Sequence, residues 1–303
     1  MLTTKNMSLQ SLFDLQASRN PKHRAFLEKR FASMDSAEIA CCNELVDNIS
    51  RLAGDRLEEF LEGYDFICKI QFEEEIFFRR NKRYRLTKFS DALEQVYANK
   101  PYMLKYMRGL LISQVFWSNH TKSIDYYSRV FLAQLEEKTT LLEIGPGHGL
   151  LLARAVDRLS DGSVTAWDIS EASLEDTRKC LQALGVTKSF KLEAKNLFDP
   201  NTDSFDAIVF SEVLEHVEEP AQAMAAIRNC LNKNGKLFVN VPINSPAPDH
   251  LFLIRSPEEA VEFVESCGFS VLQSGFYPAT NYTLEQCRKH DLTISVCMIA
   301  GLA

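Results

Sequence analysis

The chain has 303 residues, of which 46% are hydrophobic and 25% charged, and its formal net charge is −7. This composition is typical of a globular protein, and the acidity argues against a nucleic-acid partner. No apolar run approaches the roughly 18 residues that span a bilayer, so no membrane partner is expected.

Cysteine usage bears on the cellular compartment. The eight cysteines include an adjacent pair, Cys41-Cys42, and show no C-x-x-C spacing. This favours buried free thiols in a reducing environment over disulfides or zinc sites. Met1 to Asn20 is mixed polar and amphipathic, unlike a secretory signal peptide. We therefore expect a cytoplasmic protein, and the sequence makes no prediction of its oligomeric state.

Residues 1–125 show helical periodicity and almost no strand signal. Asp35 and Ser90 are each predicted to cap a helix. Tyr102–Trp117 is apolar on most sides, which is typical of a buried helix. The sequence thus predicts a helical lid or substrate-specificity domain over residues 1–125.

A basic run at residues 79–88 lies among aromatic side chains. It has two interpretations: a pocket for an anionic group of a substrate, or a solvated helix end that pairs with the acidic residues Glu73–Glu75. The second is favoured, because charge runs are usually solvated.

From Tyr126 onward strands alternate with helices, which implies a parallel sheet with right-handed crossovers. The predicted class is therefore α/β, with a second domain at 126–303. The predicted strands span residues 140–145, 164–168, 190–194, 205–210, 236–241, 269–276 and 292–300, the last two as a hairpin pair.

A glycine-rich turn follows the first predicted strand. Its sequence is Glu143-Ile144-Gly145-Pro146-Gly147-His148-Gly149, and a helix follows it. Glycines there permit positive φ and a close approach of ligand to backbone N–H groups. A dinucleotide fingerprint needs its third glycine three residues after the second, whereas here the interval is two. An ordinary tight turn is the other alternative.

This pattern, E-x-G-x-G-x-G, resembles motif I of the class I S-adenosylmethionine (SAM) methyltransferases. The resemblance implies SAM as cofactor and a Rossmann-like, mostly parallel sheet whose last strand is antiparallel. It also implies that the methionine half of SAM lies against Gly145, Pro146, Gly147 and Gly149, and that Glu143 adds acidity for its ammonium group.

Further candidates follow the next two strands, because ligands of such sheets bind at the carboxyl ends of the strands. The Asp168 carboxylate can accept hydrogen bonds from both ribose hydroxyls, although it can also be a helix-capping aspartate. Ile169 is placed to pack on the adenine face. Asn196-Leu197 occupies the position where the resembling family usually has an aspartate beside the adenine; alternatively Asn196 is a loop asparagine.

Ser211-Glu212-Val213-Leu214-Glu215-His216-Val217 resembles a segment of small-molecule methyltransferases related to the ubiquinone-biosynthesis enzymes. The resemblance places Ser211 and Glu212 near the methionine amino group. His216 is predicted to be a general base or a substrate-orienting group, unless it is a structural histidine bonded to Glu212 or Glu215. His250 is the second candidate base, in a loop that begins near Asn244 and is expected to line the acceptor pocket.

Residues just before the glycine-rich turn are predicted to contact the substrate, with core packing or a helix end as the alternative. They are Trp117, Asn119, His120, Tyr126 and Tyr127. No metal site is predicted, because the histidines are scattered along the sequence.

The expected activity is SAM-dependent methyl transfer to an oxygen, nitrogen or carboxylate of a small-molecule acceptor in a biosynthetic pathway. Two alternatives stay open. One is a protein methyltransferase whose helical domain docks a partner, and the other is a SAM-binding scaffold without catalysis.

Overall fold

The structure is a computed structural model that describes residues 7–303. Residues 1–6, which belong to the predicted helical domain and to the Met1–Asn20 stretch, lie outside the described residues. From residue 7 to 126 the chain is helical, as predicted. The helices are α1 (Leu9–Arg19), α2 (Arg24–Ala32), α3 (Ser36–Ala53), α4 (Leu57–Asn81), α5 (Phe89–Ala92), α6 (Lys100–Phe116) and α7 (Ser118–Tyr126).

One of the two predicted helix caps is present. The Asp35 carboxylate accepts a hydrogen bond from Glu38 N at 2.8 Å at the start of α3. The prediction for Ser90 is wrong, because Ser90 lies inside α5. The first N–H of that helix, on Phe89, donates instead to the Glu218 carboxylate at 3.0 Å. This contact joins distant parts of the chain, so no local sequence pattern could predict it. A π-helical turn, Leu93–Tyr97, follows α5.

The remaining chain forms a seven-stranded sheet of order β3-β2-β1-β4-β5-β7-β6. β7 runs antiparallel to both neighbours, β5 and β6, and the pairs on the other side are parallel. This confirms the predicted α/β class with an antiparallel last strand. The strands are β1 (Thr140–Ile144), β2 (Ser163–Asp168), β3 (Lys191–Ala194), β4 (Phe205–Ser211), β5 (Leu231–Ile243), β6 (Phe269–Pro278) and β7 (Ile294–Leu302).

Five helices connect the strands: α8 (Leu150–Arg158), α9 (Glu171–Leu184), α10 (Pro220–Cys230), α11 (Pro257–Ser266) and α12 (Leu284–His290). The predicted hairpin of β6 and β7 is correct in its pairing, but α12 interrupts the connection. A capping box of Thr283 and Gln286 begins this helix. Seven residues are too few for helical periodicity to stand out from the sequence.

The helical region packs directly on the sheet domain. Its core, which contains Leu45, Ile49 and Tyr64, also takes in Leu150 of α8 and Leu184 of α9. This packing holds α6 above the glycine-rich turn. The boundary at residue 125 between two domains stays a prediction.

Three of the six basic residues in the basic run, Arg79, Lys82 and Arg85, pair with acidic side chains. Arg79 pairs with Glu75 at 2.6 Å and Arg85 with Glu74 at 2.9 Å, while the guanidinium of Arg85 lies 4.3 Å from the centre of the Phe77 ring. These ion pairs leave less unpaired positive charge for an anionic group of a substrate.

All eight cysteines are free thiols, and five of them are buried. Among the described residues, no helix is both long and apolar enough to cross a membrane.

Candidate functional site

The glycine-rich turn has the backbone that its sequence predicts. The φ values of Gly145, Gly147 and Gly149 are +68°, +52° and +72°. Residues with a Cβ rarely adopt such values, whereas glycine adopts them readily. The Thr177 hydroxyl of α9 donates to Gly147 O at 2.7 Å and fixes the turn. A Cβ placed on Gly147 would meet only Met107 Cε, at 3.7 Å, so the turn leaves room for a ligand beneath α6.

Glu143, at the end of β1, is a buried carboxylate beside this turn. Only 3% of the residue is exposed, and its Oε2 has no hydrogen-bond partner within residues 7–303. Desolvation raises the pKa of Glu143 to about 8. A buried carboxylate oxygen without a partner, next to the glycine-rich turn, suits a ligand with an ammonium group. The ammonium group would donate a hydrogen bond to this oxygen and stabilise the charged form of Glu143.

Asp168, at the end of β2, already caps its own helix. Its Oδ1 accepts from Ser170 N at 2.8 Å, and its Oδ2 accepts from the Ser173 hydroxyl at 2.9 Å. Each carboxylate oxygen has a second lone pair, so capping and ligand binding are compatible. Ile169 is 59% exposed, which leaves its apolar side chain available to a flat ligand surface.

The two residues after β3 that are predicted to contact adenine, Asn196 and Leu197, have different surroundings. Asn196 Oδ1 accepts from Phe198 N at 3.0 Å, as expected of a loop asparagine, and Asn196 is exposed. Leu197 packs against the core of the sheet. Phe198, which the sequence analysis did not select, is 49% exposed one residue further on.

At the end of β4, Glu212 has a φ of +53°, a conformation that non-glycine residues rarely adopt. Asn240 of β5 supports this backbone. Asn240 O accepts from Glu212 N at 2.8 Å, and its Nδ2 donates to Glu212 Oε1 at 3.0 Å and to the Ser211 hydroxyl at 3.2 Å. The Glu212 residue is accessible to solvent, yet desolvation by the surrounding protein raises its pKa to about 7.

The two candidate bases, from different strand ends, lie against each other. The His216 and His250 rings are 4.8 Å apart and nearly perpendicular. Glu215 and Asp249 flank them, and we call these four residues the carboxylate–histidine cluster. Burial lowers the pKa of His250 to about 4, so this imidazole is neutral at physiological pH.

Within the cluster, both imidazoles are oriented by backbone carbonyls. His216 Nδ1 lies 3.1 Å from Asp249 O, and His250 Nδ1 lies 2.7 Å from Ser245 O. A carbonyl can only accept a hydrogen bond, so each Nδ1 carries a proton and each Nε2 has a free lone pair. The structural-histidine alternative for His216 named Glu212 or Glu215 as its partner; the hydrogen bond goes instead to Asp249 O, and Glu215 Oε1 lies 3.9 Å from Nε2.

Two tyrosines of the helical region reach the cluster, and sequence reasoning missed both. The Tyr97 hydroxyl donates to Asp249 Oδ2 at 3.0 Å and lies 3.3 Å from His216 Nδ1. Tyr84 accepts from Ser245 N at 3.0 Å, and its ring contacts that of His250. Tyr97 ends the π-helical turn, a local distortion that is frequent at functional sites but has no sequence signature.

The scattered histidines of the sequence predict no metal site. Folding nevertheless brings Glu215, His216 and His250 together, with ligand atoms within 4.8 Å of one another. The spacing along the chain could not reveal this group, because β5 separates its members.

Most of the predicted substrate-contacting residues lie in the interior, whereas Trp117 and His120 are partly accessible, so a role in substrate contact stays a prediction. Trp117 Nε1 donates to the Tyr64 hydroxyl at 3.2 Å, and His120 Nδ1 lies 3.0 Å from the Ser113 hydroxyl. Asn119 is 5% exposed and donates to the Ser295 hydroxyl at 3.0 Å.

Tyr126 and Tyr127 are likewise core residues, 5% and 0% exposed, and both pack on Phe238 of β5. Asn244 is also turned inward, because its Nδ2 donates to Arg255 O at 2.9 Å. This bond fixes the start of the loop that carries His250, and the place of Asn244 in the acceptor pocket stays a prediction.

Known proteins are similar to parts of this chain. Residues 142–237 match the family model described as a methyltransferase domain. Two ubiquinone biosynthesis O-methyltransferases are similar in sequence. That of Saccharophagus degradans is 30% identical over 133 residues, which are 44% of this chain and 55% of the relative; that of Neisseria meningitidis serogroup C is 31% identical over 127 residues, or 41% and 52%. The chain thus spans about half the length of the curated relatives it matches.

Two solved structures are similar in fold. Mitomycin 7-O-methyltransferase aligns with 89% of this chain and 76% of its own, with a TM-score of 0.54 and 14% identity. An O-methyltransferase from neocarzinostatin biosynthesis, solved with SAM and 2-hydroxy-5-methyl naphthoic acid, aligns over 78% and 69%, with a TM-score of 0.52 and 15% identity.

The family match covers most of β1, the glycine-rich turn, Asp168 and the segment that carries His216. Residues 142–237 therefore match a methyltransferase domain, and the sheet that contains them has the fold of two solved O-methyltransferases.

Proposed function

We propose that this chain transfers the methyl group of SAM to a small-molecule acceptor, most readily to an oxygen. One observation carries the proposal: the glycine-rich turn, Asp168 and the carboxylate–histidine cluster follow β1, β2, β4 and β5, at one edge of the sheet. The curated relatives, which are named for O-methylation, support oxygen over nitrogen as the acceptor atom.

The residues present fit the cofactor. Glu143 has an orphaned oxygen for the ammonium group, and the turn offers a bare backbone for the amino-acid tail. Asp168 would accept from the ribose hydroxyls, and Ile169 would pack on the adenine. Bound SAM supplies a methyl group that is already activated by a sulfonium centre.

The carboxylate–histidine cluster would act on the acceptor. Methyl transfer joins the acceptor oxygen to the methyl carbon as the sulfur–methyl bond breaks, and the electron pair of that bond stays on sulfur. The hydroxyl proton must leave the acceptor, and the Nε2 lone pairs of His216 and His250 are the available bases. His250 is a weak base, because burial lowers its pKa to about 4, and we assign the base role to His216.

Enclosure of the cluster supports a small acceptor rather than a polypeptide. Asp249 and His250 are 3% and 6% exposed, and Tyr84 and Tyr97 of the helical region cover them. A protein substrate would require an open groove at this place. A cytoplasmic, biosynthetic role belongs to the same proposal, and the eight free thiols support a reducing compartment.

The test is turnover with SAM that carries an isotopically labelled methyl group, against a panel of hydroxylated aromatic acids and phenols. We expect label in a small-molecule product that mass spectrometry identifies. SAM binding by calorimetry without label in any product would favour the scaffold alternative, and label in protein bands would favour the protein methyltransferase.

The role of His216 has a separate test. His216→Ala should lower kcat while leaving SAM affinity nearly unchanged, since the imidazole acts on the acceptor. Activity equal to that of the unchanged protein would return His216 to a purely structural role.

A further inference from the structure

Glu212 is held by a buried asparagine on the neighbouring strand. Asn240 of β5 is 4% exposed, and its Nδ2 donates to Glu212 Oε1 at 3.0 Å and to the Ser211 hydroxyl at 3.2 Å. Asn240 O also accepts from Glu212 N at 2.8 Å. One residue therefore fixes both the backbone and the carboxylate of Glu212, whose φ of +53° needs such support.

Cys297 of β7 fixes the orientation of the Asn240 amide from the other side. Cys297 is 0% exposed, and its thiol donates to Asn240 Oδ1 at 3.5 Å. Burial raises the pKa of this thiol to about 12, so it keeps its proton at physiological pH. With the amide reversed, Oδ1 would face the Glu212 carboxylate and the N–H groups would face the thiol. The N–H groups of Asn240 are thus directed to Glu212.

The surroundings of Asn240 on its own face of the sheet are otherwise apolar. Asn240 is in register with Cys297, and the preceding register pair on that face, Phe238 and Ile299, is 0% and 1% exposed. A buried amide is tolerated in such a place only where its hydrogen bonds are made. Packing alone would favour an aliphatic side chain here, so the asparagine is explained by the carboxylate that it holds.

We propose that Asn240 is a positioning residue for SAM, and that Cys297 orients its amide for this task. The inference rests on the proposed function, with Glu212 near the methionine amino group of SAM. By donating to Oε1, Asn240 would hold the Glu212 carboxylate in place and favour its charged form, which attracts an ammonium group. Because Asn240 acts only through Glu212, its loss should weaken cofactor binding more than it slows methyl transfer.

Two variants of similar volume test this role by calorimetry with SAM and by steady-state kinetics. Asn240→Leu removes the amide hydrogen bonds, and Asn240→Asp places a second carboxylate beside Glu212. We expect each to raise the Kd and the KM for SAM at least about tenfold, while kcat at saturating SAM changes less than about threefold. Asn232→Leu is the matched control, because Asn232 Nδ2 also donates from β5 to a carboxylate, that of Asp206 at 2.8 Å, but at the opposite end of the strand. It should leave the Kd and the KM unchanged.

The contribution of Cys297 has its own test. Cys297→Ala should raise the Kd for SAM severalfold, and Cys297→Ser should restore it, because a hydroxyl can also donate to Oδ1. Subtracting the infrared spectrum of Cys297→Ala isolates the S–H stretching band of this thiol in the ligand-free protein. The band should move to higher frequency in Asn240→Leu, where the acceptor is lost.

Equal SAM affinity in the unchanged protein and both Asn240 variants would overturn the inference, and so would an S–H band that is the same in Asn240→Leu. Circular dichroism checks that each variant is folded. Failure of the proposed function would look different: the unchanged protein would not bind SAM, while the band would still move in Asn240→Leu.

Discussion

At the scale of single residues, Asp168 caps α9, because its oxygens accept from Ser170 N and the Ser173 hydroxyl. In the proposed function the same carboxylate also accepts from the ribose hydroxyls of SAM. The distance in sequence from the glycine-rich turn predicted a ligand-binding role for Asp168. That role is compatible with helix capping, because each carboxylate oxygen has a second lone pair. A variant must therefore separate loss of a helix cap from loss of a ligand contact.

Asp168→Ala should weaken SAM binding more than tenfold, by about 1.4 kcal/mol or more, because two ribose hydroxyls lose their acceptor. Calorimetry measures it. Ser173→Ala is the control, since it removes one capping bond and leaves the carboxylate. Equal affinity in Asp168→Ala and the unchanged protein would remove the ribose role.

Tyr97 is a positioning residue in our account, because its hydroxyl contacts both Asp249 and His216. Tyr97→Phe should lower kcat severalfold and shift the pH profile of kcat, while KM for SAM stays constant. Tyr102→Phe, on the neighbouring helix α6, is the control. A pH profile unchanged in Tyr97→Phe would mean that the hydroxyl only packs.

At the scale of elements, hydrophobic runs and glycine placement predicted the strands and the turn well. What the sequence could not predict arises from contacts between distant segments. Examples are the Glu218 carboxylate that caps α5, the π-helical turn that presents Tyr97, and the meeting of His216 with His250. Each depends on side chains from elements that only the fold brings together.

The crossing of α4 and α6, which holds the helical region over the site, depends on two glycines. A Cβ on Gly63 would lie 2.6 Å from Lys105 O and 2.7 Å from Gly109 N, both backbone atoms. Gly63→Ala should therefore destabilise the protein by about 1–3 kcal/mol, measurable by chemical denaturation. Lys105→Ala, at an exposed position, should change stability by less than about 0.5 kcal/mol. Equal stability of the two variants would contradict this packing.

At the scale of the whole molecule, the helical region and the sheet domain together enclose an acidic site. Glu143, Glu212 and Glu215 all have raised pKa values because of desolvation, and the last two also lie close to each other. In the ligand-free protein this arrangement disfavours the ionised carboxylates, and the ammonium group of a cofactor would favour them. Binding and stability should therefore be coupled.

The sign of the pH dependence follows from Glu143. Its pKa is about 8 in the folded protein and near 4.5 when unfolded, so the folded state holds a proton that the unfolded state releases. The free energy of unfolding without ligand should then fall as the pH rises from about 4.5 to about 8. In Glu143→Gln the free energy of unfolding should fall less over this pH range, by about a few kcal/mol. The melting temperature should therefore fall by several degrees less than in the unchanged protein. Identical slopes in both proteins would contradict the buried, unpaired state of Glu143.

The most direct measurement of the central claim is a crystal structure of the chain with S-adenosylhomocysteine. The account predicts the amino group at Glu143, the tail on the backbone of Gly145 to Gly149, and the ribose hydroxyls on Asp168. It also predicts that the sulfur faces His216. An adenosyl group bound elsewhere, or a turn that closes without admitting the ligand, would contradict the account.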